Sequence, residues 1–179
     1  AALETLRQPL EDREVTVSRV EATVTYPANF QLVAAMNPCP CGHFPDLARC
    51  RCTEGQITRY LQKISGPLLD RIDLCVEASP VTYGDIRGGG ENEASGAIRA
   101  RVEQAREIQK ERFMEENIRC NGEMAGRHIR KYCVLGKEEE TFMEEIFEKL
   151  ALSARMHDRI LKVARTTAAV SYTHLTLPT

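Results

Sequence analysis

The sequence predicts an α/β fold, in which parallel-sheet strands and a hairpin from part of a core are followed by an all-helical subdomain. Three observations carry this. Residues 14 to 26 alternate apolar and polar, residues 30 to 35 form a near-continuous apolar run, and beyond Ser95 apolar residues recur at helical spacing. With 179 residues, 42% hydrophobic and 28% charged, there is material for one ordinary domain or for a domain and a half. That composition excludes a disordered or fibrous chain. The longest apolar run, Phe30 to Met36, contains Gln31 and falls far short of the roughly 20 residues of a membrane span, so no membrane partner is expected.

Taken in order, Leu3 to Leu10 is helix-like until Pro9. Glu14 to Tyr26, with Val15, Val17, Val20, Ala22 and Val24 as its apolar set, reads as a short hairpin turning near Ser18 and Arg19. Phe30 to Ala35, ended by Asn37 and Pro38, has the pattern of a strand buried on both faces of a parallel sheet. Asn37 then falls at the carboxyl end of that strand, the edge where open α/β sheets bind ligands. Thr53 and Gln56 have capping-box spacing, and Ile57, Tyr60, Leu61 and Ile64 follow at helical spacing, which predicts a helix over 54–65. Pro67 opens a second short turn through Arg71, and Ile72 to Val76 alternates like another strand.

Residues 79–96, with five glycines, read as a linker; the triple glycine lacks the Lys-Ser or Lys-Thr pair of a phosphate loop. Three apolar stripes predict the helical part: Ile98, Val102, Ala105 and Ile108; Phe142, Ile146 and Leu150; and Met156, Ile160 and Val163 on a helix capped by Ser153. Glu138 to Glu145 reads as a solvated face. The chain opens on Ala1 with no initiator Met or leader-like segment and reads as cut, and VSYTHLTLPT (170–179) matches a translated sequencing adapter, so it is read as an artefact outside functional reasoning.

Residues 1–86 hold 8 Lys/Arg against 11 Asp/Glu, and residues 87–179 hold 16 against 15. Neither half has the bulk field of a basic nucleic-acid domain, so any such contact is local. Seven cysteines, an odd number without a leader, point to a reducing cytoplasm. Four of them, Cys39, Cys41, Cys50 and Cys52, crowd into fourteen residues with His43 nearby. Four thiolates suit a closed structural zinc site whose charge Arg49 and Arg51 offset, but the Cys-x-Cys spacing is tighter than usual. Redox-active thiols and disulfides therefore stay open beside zinc. Cys75, Cys120 and Cys133 read as core residues.

The strings LRQPLEDREVTVSR, ANFQLVAAMNPCPCG, RYLQKISGPLLDRIDL and LSARMHDRILKVART follow one another between Ala1 and Ala169. Together they resemble the magnesium-chelatase-like AAA+ ATPases of the ComM/YifB type. The resemblance implies the C-terminal part of a AAA+ P-loop core in 1–78, the linker 79–96, and a helical lid in 97–169. It implies that Asn37 is sensor 1, orienting the water that attacks the γ-phosphate, which suits an amide able both to donate and to accept. Otherwise Asn37 caps the strand before Pro38. It implies that Arg71 is an arginine finger serving a neighbouring subunit, against a surface ion pair with Asp70 or Asp73. Arg155 becomes sensor 2, in the first turn of a helix where an anion is favoured, against a solvated arginine.

There is no G-x-x-x-x-G-K-[ST] and no apolar strand ending in Asp-Glu; in the family both precede the part this chain resembles. The implied parent is a cytoplasmic homo-hexameric ring that uses ATP with Mg2+ and remodels DNA by branch migration, while the residues here would not hydrolyse ATP alone. Glu14 to Tyr26 is a pore-hairpin candidate by the same resemblance. Two other readings stand beside it: the ATPase subunit of magnesium chelatase, and a non-enzymatic zinc-binding nucleic-acid adaptor.

Overall fold

The computed structural model describes residues 2–87 and 93–171. It divides into two compact units, Ala1–Ile72 and Asp73–Thr179. In the first, a 3-10 turn (Ala2–Leu6) leads into α1 (Arg7–Asp12). This helix runs past Pro9, where the helix-like sequence pattern ends. Pro9 lies in the first turn, where the missing N–H has no intrahelical acceptor to lose. Arg13, in the left-handed region at φ 59°, ends α1 and donates its N–H to the Pro9 carbonyl at 3.1 Å.

β1 (Glu14–Ser18) and β2 (Thr23–Pro27) form the expected hairpin, in a register that pairs Val15 with Tyr26 and Val17 with Val24. These four side chains share one face. Thr16 and Thr25 meet on the other, their hydroxyls 3.1 Å apart, so the period of two sorts the ribbon into an apolar and a polar side. Reciprocal backbone bonds between Arg19 and Ala22 close the turn, and Val20 stands fully exposed at its tip.

The run after the hairpin behaves differently from the expected buried strand. No described residue pairs with 30–36 or 72–76, and Val33, Leu74 and Val76 are exposed at 84%, 68% and 86%. A parallel strand exists only through its neighbours' N–H and C=O groups, and no described segment supplies them. The mixed α/β character therefore rests on the hairpin and its helices. α2 (Glu54–Leu61) starts at a complete capping box: the Gln56 N–H donates to Thr53 Oγ1 at 3.3 Å, and the Thr53 N–H donates to Gln56 Oε1 at 2.9 Å. It stops four residues short of the predicted end, and α3 (Gly66–Leu69) follows with Ser65 as its cap. The Ser65 hydroxyl also donates to Glu4 at 2.6 Å, tying α3 to the opening 3-10 turn.

The second unit begins with α4 (Tyr83–Arg87), inside the expected linker and capped by reciprocal Thr82 and Asp85 bonds. Gly88 to Asn92 lie outside the described residues. α5 (Ser95–Arg112), a 3-10 turn (Asn121–Glu123), α6 (Gly126–Tyr132), α7 (Lys137–Lys149) and α8 (Ala154–Ser171) follow. Their core is Phe113, Met124, Ile129, Cys133, Met143 and Leu161. Phe113 meets Tyr132 edge to face, centroids 5.2 Å apart.

Buried polar groups join these elements. The Asn121 N–H donates to Gln109 at 2.9 Å, its side-chain amide donates to Thr166 at 3.0 Å, and its Oδ1 accepts from Arg112 at 2.9 Å. One asparagine at 1% exposure thus links α5, the 3-10 turn and α8. Three sequence expectations need correction here. In α7 the buried residue is Met143, while Phe142 and Leu150 are 45% and 68% exposed. Of the three scattered cysteines only Cys133 is buried; Cys75 and Cys120 are exposed. α8 continues through Val170 and Ser171, and the rest of the adapter-like tail, 172–179, lies outside the described residues.

Candidate functional site

The loop between Asn37 and α2 has no regular secondary structure, and its centre is sulfur. Cys39 Sγ lies 3.3 Å from Cys41 Sγ and 3.8 Å from Cys50 Sγ, and Cys41 to Cys50 is 3.6 Å. With Cys52 included, all four sulfurs lie within 4.8 Å of one another. No pair approaches the ~2.05 Å of a disulfide, and all four are free thiols. Short turns draw them together. The Gly42 N–H donates to the Cys39 carbonyl at 3.0 Å with Gly42 at φ +81°, a conformation that suits glycine. The Asp46 carboxylate accepts from the Ala48 and Arg49 amides, and the Cys50 N–H donates to the Asp46 carbonyl at 2.8 Å.

Electrostatically the four thiols are unequal. Backbone N–H groups of His43 and Arg51 donate to Cys41 and draw its pKa down to about 6. Burial, with hydrogen bonds from neighbouring thiols, pushes Cys52 up to about 12. Four thiols this close cannot all shed protons without a cation among them, because each new thiolate repels the others. A soft divalent metal removes that obstacle.

Asn37 is exposed two residues before Cys39, with rigid Pro38 between. Its amide lies over Gly42: a Cβ placed on that glycine would sit 3.7 Å from Asn37 Nδ2 and 3.8 Å from Cγ. Arg71 follows α3 and is not a solvated arginine. Its side chain is 10% exposed, one Nη donates to the Pro67 carbonyl at 2.6 Å, and the other donates to the Glu11 carboxylate. The Nε is buried without a hydrogen-bond partner among the described residues. The ion partner is thus Glu11 of α1 rather than Asp70 or Asp73; Asp73 instead pairs with Arg159 at 3.1 Å. Arg155 is exposed in the first turn of α8, where the Met156 N–H donates to Ser153 Oγ at 3.2 Å, so Ser153 is the cap that the sequence suggests.

Asn37, Arg71 and the thiols therefore belong to the first unit and Arg155 to the second. Glu11 and Gly42 escaped the sequence reading. Sixty residues separate Glu11 from Arg71, beyond any local pattern, whereas the Cys-Gly pair after Cys-x-Cys is a usable signal of a left-handed turn.

A hairpin-and-helix unit followed by a helical unit is consistent with a partial AAA+ core and its lid. Comparison with known families agrees: the profile of "Magnesium chelatase, subunit ChlI" matches residues 1–86, and that of "Magnesium chelatase, subunit ChlI C-terminal" matches 92–174. The chain belongs to the magnesium-chelatase-like family, of the ComM/YifB type. It is 43% identical over 167 residues to competence protein ComM of Haemophilus influenzae, covering 93% of this chain and 32% of that protein. It is 42% identical over 169 residues to the uncharacterized protein YifB of Salmonella typhimurium, covering 94% and 32%, and 41% identical over 169 residues to YifB of Escherichia coli, again covering 94% and 32%. The chain thus spans about a third of the length of these relatives. No helix among the described residues is long and apolar enough to cross a membrane.

Proposed function

We propose that this chain is the C-terminal part of a AAA+ ATPase core with its helical lid, from a cytoplasmic homo-hexameric ring motor that remodels DNA. The observation that carries the reading is Arg71. A guanidinium at the end of α3, with its stem buried and one nitrogen fixed on the Pro67 carbonyl, is pre-oriented, and a pre-oriented fork is what an arginine finger requires to meet phosphoryl oxygens. Glu11 holds the other nitrogen in the single chain, and a neighbour's phosphates would take over from that carboxylate in the ring.

On this reading the cofactor is ATP with Mg2+, bound mainly by residues outside this chain. Asn37 supplies the amide that orients the attacking water, and Arg155, in the first turn of α8, meets phosphate as sensor 2. The four thiols hold a structural Zn2+. DNA is the partner implied by likeness to ComM, which is named a competence protein. The test is ATP turnover by the full-length protein with and without a branched DNA. Turnover that rises several-fold with branched DNA supports the reading. Turnover indifferent to DNA favours a chelatase motor, and no turnover with tight DNA binding favours the zinc-binding adaptor.

A further inference from the structure

We propose that metal binding at Cys39, Cys41, Cys50 and Cys52 is the clamp that positions the Asn37 amide, so that the thiol loop serves the proposed ATP site rather than only stabilising the fold. The inference rests on reading the thiols as a zinc site and Asn37 as the water-orienting amide. Sulfur geometry comes first. A tetrahedral Zn2+ with bonds of about 2.3 Å sets its sulfurs about 3.8 Å apart. Three of the pairs here stand at 3.3, 3.6 and 3.8 Å, and all four sulfurs fall within 4.8 Å, so small rotations of the thiols complete the tetrahedron. Binding one Zn2+ exchanges four thiol protons for four Zn–S bonds and leaves a charge of 2−. The Phe44 N–H donates to Cys39 Sγ at 3.5 Å and so already points at one of those sulfurs.

The loop's position in the chain supplies the second half of the argument. It is anchored at both ends to the elements in question: Asn37 is joined to Cys39 through Pro38, and Cys52 is followed at once by Thr53, the cap of α2. Between them Gly42 packs under the Asn37 amide. Apart from sulfur, the loop's internal bonds are short-range turns, and Cys39, at 0% exposure, is its only buried side chain. Without a metal, then, little fixes the Cys39–Gly42 turn on the Cys50–Cys52 arm, and the amide above Gly42 loses its platform. With a metal, the run before Asn37 and the start of α2 are stapled to one centre about which the amide has a single seat.

The test uses the 179-residue chain labelled with 15N. Co2+ and then Zn2+ are added while metal coordination is read from the visible spectrum and the Asn37 side-chain amide pair is followed by NMR, assigned through Asn37→Ala. The expected result is one equivalent of Co2+ with tetrathiolate bands, displaced by Zn2+, and a shift of the Asn37 amide pair to a new position as the site fills. Cys52→Ser should lose the tetrathiolate spectrum and the shift together, and Cys75→Ser should lose neither. Gly42→Ala, whose added Cβ meets Asn37 at a strained φ, should still bind one metal but move the amide pair elsewhere. A metal that binds while the Asn37 pair stays unmoved, in the parent chain and in Gly42→Ala, overturns the clamp and leaves the zinc reading standing. Failure to bind an equivalent of either metal overturns both.

Discussion

At the scale of single residues, burial and partner separate the charged groups that residue type alone cannot. Arg71 and Arg155 are both arginines in family-like strings, yet Arg71 is largely buried on α3 and Glu11 while Arg155 is exposed at a helix start. Glu116 shows the same principle with a measurable consequence. Its carboxylate accepts from Lys131 at 2.8 Å and Tyr132 at 3.0 Å, and these bonds hold its pKa below the ordinary 4.5. A carboxyl depressed in the folded state contributes stability that is complete above its unfolded pKa and is lost as pH falls through the folded one. The helical unit should therefore unfold more readily as pH drops below about 4.5, and Glu116→Gln should flatten that dependence when midpoints are followed by circular dichroism. An unchanged slope in the variant would show that other carboxylates set the acid limit.

At the scale of elements, what the sequence made legible was whatever is decided within a few residues. The Thr53 capping box, the Ser153 cap, the Pro67 turn and the hairpin's alternation all stand in the structure, because each is a contact between chain neighbours. The four thiols were legible for the same reason, since fourteen residues contain them all. Pairings across the chain were not. The apolar run 30–36 has strand composition, but no described strand is available to pair with it. The choice of Met143 over Phe142 as the buried face of α7 depends on where Phe113, Ile129 and Leu161 stand, which no heptad count contains. Asn121 was likewise invisible, being a lone polar residue whose value comes from Gln109, Arg112 and Thr166 around it. Asn121→Ala removes acceptor and donor from this buried network, and we expect a loss of about 2–3 kcal/mol in urea unfolding of the chain. A loss under about 0.5 kcal/mol would mean that the network relaxes at little cost.

At the scale of the whole molecule, a chain about a third the length of its relatives carries groups proposed to act on a nucleotide, without a phosphate loop of its own. Its net charge of −2 does not oppose a DNA role, because a ring that grips DNA in its pore needs only a few basic residues per subunit. The central claim, that Arg71 completes a neighbouring subunit's ATP site, is tested most directly by Arg71→Ala in the full-length protein, measuring ATP turnover and ATP affinity side by side. The expected result is a fall in kcat of about a thousandfold or more, with affinity changed by less than about threefold. Unchanged turnover, or a loss of affinity as large as the loss of turnover, would contradict it.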